Sequence, residues 1–324
     1  MTIEKILVAN RSEIAIRVFR AANELDKKTV AIWAEEDKLA LHRFKADEAY
    51  QVGRGPHMDT VMGPIESYLS IEEVIRVAKS SGADAIHPGY GLLSESPEFV
   101  DACAANNITF IGPRPETMRA LGNKVAARNI AIKAGVPVVP ATEPLPEDPV
   151  KIKQLANEIG YPLMLKASWG GGGRGMRTIR SDEDLERGVL EARREAMAAF
   201  GKDEVYLEKL IERARHVEVQ VLGDTHGNVV HLFERDCSVQ RRNQKVVERA
   251  PAPYLDDKAR NELCELGVKI AKSTNYIGAG TVEFLMDMDD GNFYFIEVNP
   301  RVQVEHTVTE EVTGVDIILS LIHI

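Results

Sequence analysis

The sequence predicts a mixed α/β and α+β chain, in which a doubly wound layer on a parallel sheet precedes a unit with a mostly antiparallel sheet. Two observations carry this. Up to about Gly112, short apolar runs alternate with segments of helical spacing, the mark of repeated β-α-β units. From His216 onward, strand-like runs follow one another with one long helix among them.

KILVAN is a short apolar strand, SEIAIRVFRAANEL sets Ile14, Val18 and Ala21 on one helical face, and TVAIWA is the next strand. This is a right-handed parallel start. A helix from SIEEVIRVAKSS, a strand ADAIHP, a helix from PEFVDACAANN and a strand ITFIG complete the layer. VPVVP reads as a short strand, and ATEPLPEDPV as a linker, because its prolines cannot continue a helix or a central strand. A small unit follows: helix KIKQLANEIG, strand PLMLKAS, a glycine loop, strand MRTIR, charged helix SDEDLERGVLEARREAMAAF and strand VYLEKL. The last unit sets strands HVEVQVLGD, VVHLFERDC, VVERAPA, AGTVEFLMD and NFYFIEVNP around helix KARNELCELGVKIAKST. The expected organisation is a first layer over 1–117, a connecting helix over 118–137, the glycine-loop unit over 138–207 and the antiparallel core over 208–324. VTGVDIILSLIHI stops inside an apolar run with no cap or polar tail, so the expected chain continues further.

The 324 residues, 44% hydrophobic and 28% charged, suit a globular protein too long for one compact core. A net charge of -10 argues against a general nucleic-acid binder, which needs a surplus of Lys and Arg. Cys103, Cys237 and Cys264 form no CxxC pair and no metal-ligand spacing, and read as buried thiols in a reducing compartment. No apolar run reaches the roughly 20 residues of a membrane span. MTIEKILVANRSE lacks the form of a signal peptide, so a cytoplasmic location is expected, or an organellar one if a presequence has been lost.

WGGGGRGM places Gly170, Gly172 and Gly175 at GxGxxG spacing. A dinucleotide fingerprint should open a helix, whereas MRTIR reads as a second strand, and LVANRSE has no glycine in its turn. No GxxxxGK[ST] occurs. What remains is a glycine-rich hairpin tip after Lys166. Ordering consecutive glycines costs much entropy, which points to a flap closing over phosphates; a plain surface turn is the alternative.

If Asp289, Asp290 and Gly291 form a three-residue connection, Glu283 falls opposite Glu297. Like charges so placed destabilise a hairpin unless compensated, and oxygen ligation points to Mg²⁺ or Mn²⁺; two solvated strand carboxylates are the alternative. DMDDGNFYFIE fails as a calcium loop, because its glycine falls one place early and its last glutamate is misplaced. If the backbone stays extended past Pro300, Glu297, Asn299, Arg301, Gln303 and Glu305 share one face. Arg301 is then a planar fork suited to a small oxyanion such as bicarbonate, with Glu305 beside it as a general base. RDCSVQRRNQKVVERAP gathers Arg235, Arg241, Arg242, Lys245 and Arg249 without aromatics, which favours local phosphate or carboxylate binding, with structural ion pairs as the alternative.

Together, LGNKVAAR, MLKASWGGGGRGM, EKLIERARHVEVQ, ERDCSVQRRNQKVVERAPAP, AGTVEF and FIEVNPRVQVEHTVTE resemble the biotin carboxylase branch of the ATP-grasp ligases. The resemblance takes in VANRSEIAIRV and IHPGYGLLSES and runs to about Asp316. AIWAEEDKLALHRFKADEAYQVG, GPIESYLSI and KASWGGGG look more like the pyruvate carboxylase type than the free acetyl-CoA carboxylase subunit. The resemblance implies a Rossmann-like, pre-ATP-grasp domain followed by an ATP-grasp fold incomplete at its C-terminal end.

It further implies Lys124 and Lys166 on the nucleotide phosphates, beneath a flap of Gly170, Gly171, Gly172, Gly173 and Gly175. Glu208, Lys209, the Ile211 backbone and Gln240 fall among the nucleotide contacts, with His216 on the ribose side. Glu283, Glu297 and Asn299 match metal ligands. Lys245, Arg301, Gln303 and the Val304 backbone match a bicarbonate cradle, and Glu305 matches the base, which makes Glu305, Arg301 and Lys245 the catalytic set. Asn243 departs from the histidine that relatives often carry. The implied chemistry is carboxylation of biotin through carboxyphosphate, with ATP, Mg²⁺ or Mn²⁺, and biotin carried on a separate domain. Implied partners are bicarbonate, biotinyl and carboxyl-transferase domains of the same polypeptide and further copies in a homo-oligomer, with no nucleic acid or membrane. In this family the third unit continues further, to an arginine that stabilises the biotin enolate. The chain alone is therefore expected to bind ATP weakly and turn over poorly. An amine-joining ATP-grasp ligase, an acyl-CoA carboxylase and a nucleotide-binding piece without turnover are the competing readings.

Overall fold

The computed structural model describes residues 3–58, 60–169, 176–242 and 244–323. The expected flap, Gly170 to Gly175, and Asn243 lie outside the described residues. The first layer runs β1 (Lys5–Val8), α1 (Ser12–Glu24), β2 (Lys28–Trp33), β3 (Glu48–Gln51), α2 (Pro64–Leu69), α3 (Ile71–Ser81), β4 (Ala85–His87), α4 (Pro97–Ala105) and β5 (Thr109–Phe110). Its sheet has the order β3-β2-β1-β4-β5, parallel throughout. Ile6, Leu7 and Val8 have no exposed surface, because helices cover both faces of such a sheet. β3 went unread in the sequence: EAYQ is an edge strand with no buried residue, so the apolar signal is missing. The strand order reverses between β1 and β4. There the Asn10 side-chain amide donates to the carbonyls of Pro88 at 2.7 Å and Tyr90 at 2.8 Å, fixing the loops at the crevice where open α/β sheets place ligands.

The expected connecting helix is two helices, α5 (Pro115–Gly122) and α6 (Lys124–Lys133). The break falls at Asn123, whose side-chain oxygen caps α6 by accepting from the Ala126 N–H at 2.9 Å. VPVVP is not a strand. It makes an isolated bridge from Val138 to Phe295, because Pro137 and Pro140 have no N–H for a ladder. The small unit comprises α7 (Pro149–Ile159), β6 (Leu163–Ala167), β7 (Arg177–Ile179), α8 (Asp182–Phe200) and β8 (Val205–Lys209), with antiparallel order β7-β6-β8. Leu185, Val189, Ala192 and Ala196 recur at helical spacing along α8 and pack on Leu163 and Leu165.

The third unit contains β9 (Ala214–Gly223), β10 (Val229–Arg241), β11 (Gln244–Arg249), α9 (Asp257–Ser273), β12 (Gly278–Asp287) and β13 (Phe293–Asn299). Its sheet is antiparallel in the order β11-β10-β9-β12-β13. One face buries Val217, Val219 and Val221 under Leu263, Leu266 and Ile270 of α9. Two helices that the sequence reading did not include follow, α10 (His306–Thr313) and α11 (Ile317–His323). Ile317, Ile318, Leu321 and Ile322 join Ile14, Val18 and Phe19 in one core, so α11 ties the third unit to the first layer. No helix among the described residues is long and apolar enough to cross a membrane.

Two local expectations need correction. Between β12 and β13 the turn proper is four residues, Met288 to Gly291, inside the pair of Asp287 and Asn292, whose contact is the Asp287 N–H on the Asn292 carbonyl at 3.0 Å. That connection pairs Phe284 with Phe295, and a register shift next to Glu283 is what brings Glu283 opposite Glu297. The chain also does not stay extended past Pro300. β13 ends at Asn299, the Arg301 N–H turns back to the Asn299 carbonyl at 2.8 Å, and Glu305 stands at the start of α10.

Candidate active site

Four charged side chains stand in one row across the third sheet. In register, Arg235 of β10 faces Glu218 of β9, Glu218 faces Glu283 of β12, and Glu283 faces Glu297 of β13. Directly opposed residues share a face, and this is the face away from α9. HVEVQV produces it by alternation: its valines go under α9, while His216, Glu218 and Gln220 turn to the other side. Three neighbouring carboxylates repel, and the fold answers with cations. Arg235, fully buried, donates Nε to Glu218 at 2.6 Å. The Lys245 ammonium donates to Glu218 at 2.5 Å, Glu283 at 2.8 Å and Glu305 at 2.6 Å. His216 Nε2 lies 3.1 Å from Glu283, and Lys124 pairs with Glu297.

These contacts set the protonation states. Burial pushes the Glu283 carboxyl up, but His216 and Lys245 outweigh it and hold it well below the usual range. Glu218 is likewise held down, burial being overcome by Arg235 and Lys245. His216 is raised by Glu283 against its own burial, and Lys245 is raised by Glu283, Glu218 and Glu305 against its burial. Lys124 goes the other way, lowered to about 8 by burial and by the neighbouring charge of Lys166.

The row opens into a cavity of 760 Å³ between the three units, and all the described candidate residues line it. Lys124, the first residue of α6, enters from one wall, its N–H bonded to the Ser168 carbonyl at 2.8 Å. Lys166 of β6 pairs with Glu208 of β8 on another. The Lys209 ammonium instead bonds the carbonyls of Gly160 and Tyr161, both at 2.9 Å, which anchors β8 to the end of α7. Asn299 donates to Glu283 at 2.8 Å, and Gln303 bridges Glu283 at 3.5 Å and Arg235 at 3.4 Å. Arg301 pairs with Glu95 and donates to Asn299 and to the Val302 carbonyl, both at 3.3 Å. Ile211, Gln240 and the exposed Val304 complete the described set. Glu283 and Glu297, adjacent and hard-oxygen in character, fit a divalent cation flanked by Asn299.

The basic segment does not form one anion patch. Arg235 is spent inside the sheet, Arg249 pairs with Asp236, and Arg241 and Arg242 are exposed, leaving Lys245 in the cavity. Glu218, Glu95 and Tyr90 were missed in the sequence. Glu218 carried a legible signal, a polar residue at period two in an otherwise apolar strand; Glu95 and Tyr90 carried none. The three cysteines are buried and free, as expected.

Residues 123–324 match the family described as Carbamoyl-phosphate synthase L chain, ATP binding domain, and residues 2–118 match Biotin carboxylase, N-terminal domain. A solved structure of the Hydrogenobacter thermophilus 2-oxoglutarate carboxylase biotin carboxylase domain, in complex with MgADP, ADP and bicarbonate, is 48% identical, with TM-score 0.94 over 100% of this chain and 70% of that one. The chain belongs to the biotin carboxylase family. The stretch that matches the ATP-binding family contains the charged row. Within this family, a Rhizobium etli pyruvate carboxylase structure with the allosteric activator acetyl coenzyme-A is 78% identical, with TM-score 0.96 over 100% of this chain and 28% of that one. Bacillus subtilis pyruvate carboxylase is 55% identical over 321 residues, 99% of this chain. The chain spans 27% of the length of that relative.

Proposed function

We propose that the chain carboxylates biotin from bicarbonate and ATP, as the biotin carboxylase part of a pyruvate carboxylase that converts pyruvate to oxaloacetate. The single observation that carries this is Lys245, whose ammonium touches the base candidate Glu305 and the metal-ligand candidate Glu283 at once, in the cavity that Arg301 also lines. Lys124 and Lys166 hold the nucleotide phosphates. Arg301, Gln303 and the Val304 backbone hold bicarbonate, and Glu305 takes its proton. The oxygen so freed attacks the γ-phosphorus, giving carboxyphosphate and ADP, while Lys245 stabilises charge on the transferred group. Mg²⁺ or Mn²⁺ held by Glu283, Glu297 and Asn299 would neutralise the phosphate oxygens. Carboxyphosphate splits to CO₂ and phosphate inside the closed cavity, where exclusion of water protects it; the released phosphate takes the ureido N–H proton of biotin, and that nitrogen captures the CO₂. Biotin arrives on a biotinyl domain, with the carboxyl-transferase domain of the same polypeptide as the next station and a homo-oligomer as the assembly. Three buried free thiols suit a reducing, cytoplasmic setting.

The test is ADP release with Mg²⁺, bicarbonate and free biotin, run on the full-length polypeptide and on the 324-residue chain. We expect bicarbonate-dependent, biotin-stimulated turnover in the former and little in the latter. Turnover indifferent to bicarbonate in the full-length polypeptide would refute the reading.

A further inference from the structure

The charged row partners Lys245, Lys124 and His216, but Arg301 is held from elsewhere. Its Nε donates to Glu95, which lies more than two hundred residues earlier in the chain, on the first layer. That loop is firmly built. Gly91 accepts from the Ser94 N–H at 3.0 Å, Leu93 accepts from the Ser96 N–H at 3.1 Å, and the Ser96 hydroxyl caps α4 through the Phe99 N–H at 3.2 Å. Leu93 and Ser94 are buried, so Glu95 is presented outward from a fixed support at the cavity mouth.

A guanidinium grips a planar oxyanion along one of two edges, Nε with one Nη, or the two Nη together. Glu95 occupies Nε. The remaining contacts of Arg301, to Asn299 and the Val302 carbonyl, are long at 3.3 Å and each leaves a second N–H on its nitrogen. Each Nη thus keeps one N–H beyond these contacts, and the pair can still donate to a small anion.

We propose that Glu95 is a positioning residue for Arg301: it closes the Nε edge and aims the opposite edge at bicarbonate, so that the first layer completes the oxyanion site. This rests on the bicarbonate reading given above. Glu95 touches no reactant and acts through the orientation of Arg301 alone.

The experiment measures bicarbonate-dependent ADP release in the full-length polypeptide for Glu95→Ala, Glu95→Gln and Glu95→Asp. Loss of a contact that orients the ground state and transition state equally raises KM and leaves kcat less affected. Glu95→Ala should raise the bicarbonate KM about tenfold, with a smaller change in kcat and none in the KM for ATP. Glu95→Gln, which keeps an acceptor oxygen, should fall between it and the native protein, and Glu95→Asp should recover part of the loss. An unchanged bicarbonate KM in all three would overturn the proposal. So would a lowered KM, which would make Glu95 a competing anion, and so would parallel losses in the KM for ATP and in thermal stability, which mark a merely structural role. If the native polypeptide itself shows no bicarbonate dependence, the function reading fails instead, and the two failures are thereby told apart.

Discussion

Glu218 faces Glu283 across the β9–β12 ladder, and the Lys245 ammonium bridges them, 2.5 Å from the first and 2.8 Å from the second. Arg235 serves the first carboxylate and His216 the second, and Lys245 is the cation that serves both. In Lys245→Met both would stay buried with one positive charge fewer, which should destabilise the fold by about 3 kcal/mol. Urea unfolding measures this. Added Mg²⁺ should restore more stability in the variant than in the native chain, because a cation at Glu283 replaces part of the missing charge. Equal Mg²⁺ responses would count against a metal at Glu283.

Glu297 is the outermost member of the row, paired with Lys124 and partly open to the cavity. Glu297→Gln should therefore leave the melting temperature nearly unchanged while weakening the Mg²⁺ dependence of turnover at least tenfold, the scale of one lost charged contact. A Mg²⁺ titration of ADP release checks it. An unshifted titration would remove Glu297 from the metal site.

His87 ends β4 completely buried, and burial, helped by the charges of His306 and Arg17, lowers its pKa to about 3. The folded imidazole therefore stays neutral while the unfolded one, near 6.5, takes up a proton. Its contribution is present above pH 6.5 and is lost as the pH falls toward 3, at about 1.4 kcal/mol per unit. Urea midpoints at pH 7.0, 6.0 and 5.5 should fall in the native chain and fall less in His87→Asn. Parallel slopes would exclude His87 as the source.

Gly223 closes β9 where it pairs with both β10 and β12, and a Cβ there would overlap the backbone carbonyl of Tyr276. A backbone group cannot swing aside as a side chain can. Gly223→Ala should cost about 2 kcal/mol or more, read from the urea midpoint. Gly227→Ala, with open space around it but a positive φ, should cost less.

Much of this protein was legible in the sequence for a physical reason. Period-two alternation in HVEVQV and GTVEF, and helical spacing in SEIAIRVFRAANEL, are local properties that burial on one face imposes on the chain. They determine the parallel layer, the antiparallel sheet and the side of that sheet to which Glu283 points. Tertiary structure decided what local patterns do not encode. The register shift beside Glu283 delivers the carboxylate pair despite a turn one residue longer than expected. The break at Asn123 aims Lys124 into the cavity. Glu95 reaches Arg301 only because α11 and the loops after β4 bring the first layer against the third sheet. A side chain's partner across two hundred residues depends on how layers stack, and no periodicity within either segment records it.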